Sequence, residues 1–220
     1  MKSVSRSKTF GWLAAVALSA LAFSLPASAQ PVEGRDYTRL EPPQTPETAG
    51  KIEVIEFFSY GCPHCFDFNP LVSSWAAKLP KNVVFIRVPV AFGRAEWGAL
   101  ARAYYTLQAT GDLARLDNAL FDAIHKERKP LFNEENLTRW AADNGVDRAK
   151  FTEAYNSFSV TTKATHAEQM SRSYKVDGVP KLVIDGKYVP LGNTFQAMLT
   201  NAEQVLDNVV EPARSAKASK

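Results

Sequence analysis

Val54-Ile55-Glu56-Phe57-Phe58-Ser59-Tyr60-Gly61-Cys62-Pro63-His64-Cys65 reads as an apolar strand, a short turn, and two cysteines at the start of a helix. The run from Ile52 to Ser59 is nearly continuous in apolar character, as expected of a strand covered on both faces. Pro63 suits a first helical turn, where its missing N–H is no loss. Cys62 then falls at the N-cap, where unpaired backbone N–H groups and the positive end of the helix dipole favour an anion. A thiolate is that anion. His64 as a cation is unfavourable for a helix N-terminus but favourable for a neighbouring thiolate. A stabilised thiolate stabilises the reduced pair, which makes its disulfide a strong oxidant. In this reading a substrate thiolate attacks Cys62, and Cys65, one turn further in and more buried, is the partner sulfur.

Cys62 and Cys65 are the two cysteines of the 220-residue chain. A purely structural disulfide closing so short a loop removes little chain entropy. Zinc requires about four ligands, and beyond this pair and His64 the chain offers only His125 and His166. Buried inert thiols are the remaining alternative. The strand–CxxC–helix context favours a redox pair, with no metal and no cofactor implied.

Glu56 interrupts the apolar run and shares a strand face with Val54 and Phe58. A carboxylate placed there is costly unless paired or protonated. It reads either as a proton relay or pKa tuner for Cys65, or as half of a structural ion pair. Arg87, in the next strand Val83–Val88, is a candidate partner; an exposed charge at a strand end is the competing reading. A helix from about Pro63 to Lys78 joins the two strands, which implies a parallel β-α-β unit.

Upstream, residues 1–29 have the form of a cleaved secretory leader: Lys2, Arg6 and Lys8, then an apolar stretch from Trp12 to Leu25, then Ala27-Ser28-Ala29. Export places the cysteines in an oxidising compartment. The full chain carries 26 Lys and Arg against 23 Asp and Glu. Without the three leader cations the balance is even, and no basic block interleaved with aromatics suggests nucleic-acid binding. About 190 residues remain, enough for one large core. A short edge strand is expected at Tyr37–Leu40.

Downstream, residues 93–174 read as helical. Gly111 suits a helix C-terminus, and Asp112, Asn133 and Asp147 suit N-caps. His125, in a Lys/Glu/Arg run, and His166 read as solvated helix residues without chemistry. Sheet patterning returns at Lys181–Ile184 and Lys187–Val189, with Asp185-Gly186 between them as a hairpin turn. Pro180 opens the first of these strands. Thr194 caps a last helix, and residues 211–220 read as a flexible tail.

The motif Phe57–Cys65, the segment Gly178-Val179-Pro180 and the helical block between them resemble the DsbA family of periplasmic thiol:disulfide oxidoreductases, over essentially the whole mature chain. The resemblance implies an α/β protein with a thioredoxin fold, residues 30–92 and 175–210, holding an inserted all-helical domain, residues 93–174. It implies a monomer whose nucleophile is Cys62, with Cys65 as its buried partner, His64 as the tuning residue and Pro63 as a further residue of the site. Pro180 corresponds to a cis-proline against the disulfide, Val179 to a residue whose backbone pairs with substrate, and Glu56 to a buried acid. Unfolded exported polypeptides and a DsbB-like inner-membrane quinone-linked oxidase are the implied partners. Gly61 departs from the aromatic some members carry there, which would alter the rim of the substrate groove. A reductase or isomerase of the same fold, a glutathione-dependent transferase of related fold, and a non-enzymatic peptide binder are the rival functions.

Overall fold

A computed structural model describes residues 30–218; the leader expected at 1–29 lies outside them. Five strands form one sheet in the order β1-β5-β4-β2-β3. The centre is β2 (Ile52–Phe58), every residue of which is buried. It runs parallel to β3 (Val83–Pro89), with α1 (Pro63–Ala76) as the crossover, and antiparallel to β4 (Lys181–Ile184). β4 and β5 (Tyr188–Pro190) form the expected hairpin. Its turn, residues 185–187, holds Asp185 and Gly186 both at positive φ, +52° and +64°, as the central residues of a type I′ turn require. Gly186 has a second reason to lack a side chain: a Cβ there would lie 2.1 Å from the Gln44 carbonyl oxygen. β1 (Tyr37–Arg39) is the expected edge strand, antiparallel to β5.

Between β3 and β4 the chain runs through α2 (Ala95–Thr110), α3 (Leu113–His125), α4 (Glu134–Asp143), α5 (Arg148–Tyr155) and α6 (Phe158–Ser173). α7 (Phe195–Val205) follows β5. Alternation along β2 divides the packing. Val54 joins Phe68 and Val72 of α1 and Leu199 and Val205 of α7 in one core. Ile55 and Phe57 face the other way, onto Val88, Val183 and Tyr174. Phe58 and both cysteines belong to a third core, whose other members include Leu120, Phe121, Leu137 and Phe151 of the helical block. The cysteines thus sit at the junction of sheet and helical block.

Asn133, Asp147 and Thr194 cap their helices as expected, each accepting from the backbone N–H three residues on. Gly111 ends α2 at φ +82°. Asp112 departs from expectation: its backbone is already helical and its carboxylate pairs with Arg115 at 2.7 Å. Pro70 lies inside α1, where it withholds one intrahelical hydrogen bond. The polar C-terminal segment also departs from expectation. A π-helical turn over Leu206–Val210 leads into α8 (Glu211–Ala218), anchored by buried Val210 and by Arg214, which donates to Asp185.

Candidate active site

The end of β2 delivers the chain into a tight turn. The backbone N–H of Cys62 donates to the Ser59 carbonyl at 3.1 Å, and that of Gly61 to the Ser59 hydroxyl at 3.2 Å. Cys62 is the N-cap of α1, with extended backbone (φ −95°, ψ 120°), and Pro63 begins the helix. Both cysteines are free thiols here, Cys62 6% exposed and Cys65 fully buried. The two sulfurs are held in opposite states. The Cys65 thiol donates to Cys62, and the backbone N–H groups of Cys65 and His64 point at the same sulfur. With the His64 charge adding to them, these bring the Cys62 thiol down to about 6 against partial desolvation. His64 thus contributes less than the Cys65 thiol and the free helix N–H groups. Burial pushes the Cys65 thiol far up, and its hydrogen bond to Cys62 adds to that.

Across the gap from Cys62 lies the start of β4. The Val179–Pro180 peptide is cis, and the Cys62 thiol donates to the Val179 carbonyl at 3.4 Å. Val179 also packs against the cluster that holds both cysteines. A second cis bond, Glu41–Pro42, lies in the β1–β2 connection, where the sequence gives no sign of it.

Beneath the pair, the parallel register sets Glu56 directly beside Arg87. Glu56 is fully buried and accepts from Arg87 Nε at 2.7 Å, so the exposed-charge reading of Arg87 is incorrect. Burial lifts the Glu56 carboxyl above its ordinary range, with Arg87 opposing that rise and Asp117 adding to it. Asp117 accepts from Arg87 Nη1 at 2.7 Å and from the Tyr60 hydroxyl at 2.5 Å. The Arg87 guanidinium also lies 3.9 Å over the Phe58 ring, a further attraction for its charge.

Several of these residues escaped the sequence reading. Asp117 falls on the α3 face that carries Leu113, Leu120, Phe121 and Ile124, and an acid on an apolar stripe was the available signal. Tyr60 is fully buried and meets Phe121 edge-on at 4.7 Å. His125 is not a solvated residue. It is half-buried, stacked on Phe66 with centroids 5.0 Å apart, and its Nε2 donates to the Tyr60 carbonyl at 2.7 Å. His166, by contrast, is about half exposed and pairs with Glu47 at 2.9 Å.

Gly61 has a clear structural reason. A Cβ at Gly61 would fall 2.6 Å from Nε1 of Trp97, which α2 lays across the turn. A Gly61→Ala variant is expected to lose about 1–3 kcal/mol of stability through overpacking. Urea midpoints would show the loss, and a changed Trp97 fluorescence would report the displaced ring.

A strand-to-helix CxxC with one acidic and one suppressed thiol, facing a cis-proline at the head of a neighbouring strand, defines a thiol:disulfide oxidoreductase. Its sheet order and helical block make it of thioredoxin fold with a helical insertion. Residues 53–204 match the family model described as a DSBA-like thioredoxin domain, and the chain belongs to that family. The thiol:disulfide interchange protein DsbA of Bordetella pertussis is 42% identical over 198 residues, 88% of this chain and 93% of that protein. Its counterpart in Azotobacter vinelandii is 40% identical over 185 residues, 84% and 85% respectively. The crystal structure of Pseudomonas aeruginosa DsbA superposes with a TM-score of 0.75 at 37% identity, covering 85% of this chain and 96% of that one. The oxidoreductase DsbA from Xylella fastidiosa gives 0.77 at 32% identity, covering 85% and 100%.

Proposed function

We propose that this chain is exported by its 1–29 leader into the periplasm and there, as a monomer, donates its Cys62–Cys65 disulfide to newly exported unfolded polypeptides. The substrate thiolate attacks Cys62 and the electron pair of the broken bond leaves on Cys65. That sulfur is buried and takes up a proton, for which Glu56 is the nearby buried acid. A second substrate thiolate then attacks the substrate sulfur, forming the product disulfide and releasing Cys62 as a thiolate. Two electrons pass from substrate to enzyme. A DsbB-like, quinone-linked oxidase of the inner membrane removes them. The cis Val179–Pro180 peptide presents its backbone to an extended substrate beside Cys62. The thioredoxin-like unit comprises residues 30–92 and 175–210, with 93–174 inserted.

The observation that carries this reading is the placement of Cys62 at the α1 N-cap with Cys65 sealed behind it, which lowers the Cys62 thiol. Its folded value of about 6 lies below an ordinary 9.0, so it stabilises the reduced protein above the unfolded value and loses that stabilisation as pH falls through 6. One pH unit above the folded value, at pH 7, the contribution is about 1.4 kcal/mol. Its ceiling above pH 9 is ~4 kcal/mol, which solvent screening near the surface reduces. The oxidised protein has no such thiolate. Urea melts of both forms are therefore expected to move in favour of the reduced form between about pH 5 and about pH 8. The redox equilibrium with glutathione, followed by Trp fluorescence, should give a potential well above the −270 mV or so of thioredoxin. A thioredoxin-like potential with an ordinary thiol titration would instead make the chain a reductase.

A further inference from the structure

Four charged or hydrogen-bonding groups from four parts of the chain meet under the cysteines. Glu56 comes from β2, Arg87 from β3, Asp117 from α3, and Tyr60 from the turn before Cys62. One guanidinium serves two carboxylates: Nε donates to Glu56 and Nη1 to Asp117, both at 2.7 Å. Tyr104 of α2 packs edge-on against Phe58 beside them, and Cys65 of α1 lies close enough to the Glu56 charge to feel it. If both acids were ionised, the buried cluster would carry a net negative charge. Burial decides which acid yields. The Asp117 side chain is 18% exposed, while that of Glu56 is fully enclosed.

Hydrogen bonding points the same way. Both Asp117 oxygens are engaged, one by Tyr60 and one by Arg87. Burial, with the Asp117 charge adding to it, holds the Tyr60 phenol far above its ordinary range, so it remains a donor. Glu56 has one oxygen engaged. Its Oε1 is buried with no partner among the described residues. Leaving an oxygen of a buried carboxylate without a donor costs far more than leaving the same oxygen unpartnered in a neutral carboxyl.

We infer that Asp117 is a positioning residue of the redox reaction: by occupying one edge of Arg87 and the Tyr60 hydroxyl, it leaves Glu56 under-compensated and able to carry the proton that Cys65 exchanges. This rests on the relay role proposed for Glu56. In the forward step the Cys62–Cys65 bond breaks, Cys65 leaves with the electron pair, and the Glu56 proton moves to Cys65. Glu56 is left as a carboxylate against Arg87 and later recovers its proton from solvent. Without the Asp117 charge, Arg87 would belong to Glu56 alone and hold it ionised, with no proton to give.

The test is a 13C titration of glutamate carboxyl groups in the reduced protein, with Glu56 assigned by its absence in Glu56→Gln. Asp117→Asn keeps an acceptor for Tyr60 and removes the charge. Glu56 in the parent should titrate above the ordinary glutamate range, and Asp117→Asn should lower its midpoint by about 1–2 units, the effect of one charge roughly 6–12 Å away at an effective dielectric of about 20. The pH profile for reduction of the disulfide by a small dithiol should move down by the same amount. Asp117→Glu should leave both in place. An unmoved Glu56 midpoint in Asp117→Asn would overturn the inference while leaving the relay intact. A parent Glu56 that titrates in or below the ordinary glutamate range would overturn the relay and the inference together. Asp117→Ser serves for the same measurement if the Asn variant loses its near-ultraviolet circular dichroism.

Discussion

Cys65→Ser is expected to turn a catalyst into a trap, and Cys62→Ser is expected to abolish activity entirely. The reason is the asymmetry of the two sulfurs. Cys62 is the sulfur at the helix N-terminus, 6% exposed, facing the Val179 carbonyl. Cys65 is sealed beneath it. Substrate therefore reaches Cys62 alone. With Ser at position 62 there is no sulfur to attack and no leaving group, so oxidation of a dithiol peptide should fall to the uncatalysed rate. With Ser at position 65 the protein has no disulfide of its own. Given a glutathionylated peptide, its Cys62 thiolate attacks the peptide sulfur and expels glutathione, and the resulting mixed disulfide lacks the neighbouring thiol that would reverse it. Such adducts should accumulate toward one per protein molecule, visible as a mass increase that dithiol reductant removes. A non-enzymatic peptide binder predicts the opposite: Cys62→Ser would retain its affinity for unfolded peptide, and no covalent adduct would form in Cys65→Ser. The same variants separate oxidation from the structural-disulfide alternative, which predicts loss of stability without loss of a chemical step.

What the sequence disclosed and what it concealed follow from the range of the interactions involved. The cysteine pair, the turn before it and the helix after it are local, and spacing alone places them. The burial of Glu56 was legible because strand alternation is also local. Arg87 stood only as a candidate partner beside an exposed-charge reading, because the pair forms through the parallel register of β2 on β3, which spacing does not fix. Asp117 lies further still, on a helix from another part of the chain, where one acid on an apolar stripe resembles a solvated edge. His125 was misread because Lys126, Glu127 and Arg128 surround it in sequence, whereas in space it caps the Tyr60 carbonyl over Phe66. The cis Val179–Pro180 bond is disfavoured by base rates and followed only from family resemblance. The C-terminal helix was missed because its composition is that of a tail; the Asp185 anchor of Arg214 is 29 positions away at the hairpin.

Arg87→Met is expected to be the most destabilising single change near the site that leaves both cysteines in place. Removing one member of a buried ion pair typically costs about 3–5 kcal/mol, because the other charge is left unpaired. Here it strands two acids, one of them wholly enclosed, while the Tyr60 hydroxyl still donates to Asp117. The loss should depend on pH, with a sign the geometry fixes. Glu56 already lies above its ordinary range through burial, and Arg87 is the largest influence opposing that rise. Without Arg87 the Glu56 carboxyl rises further, so the folded variant binds a proton that the unfolded chain has released. Stability then falls as pH rises above the unfolded carboxylate value of about 4.3, and the deficit is relieved as pH returns toward it. Urea titrations at about pH 5 and about pH 8 should therefore show a larger deficit at the higher value. A double variant, Glu56→Met with Arg87→Met, should recover part of the loss, since an apolar replacement of a buried pair is often tolerated. It should also lack any proton donor for Cys65, so its stability and its rate of disulfide reduction would separate. If the double variant matched the parent in both, Glu56 would be a structural ion-pair partner and the proton would reach Cys65 by another route.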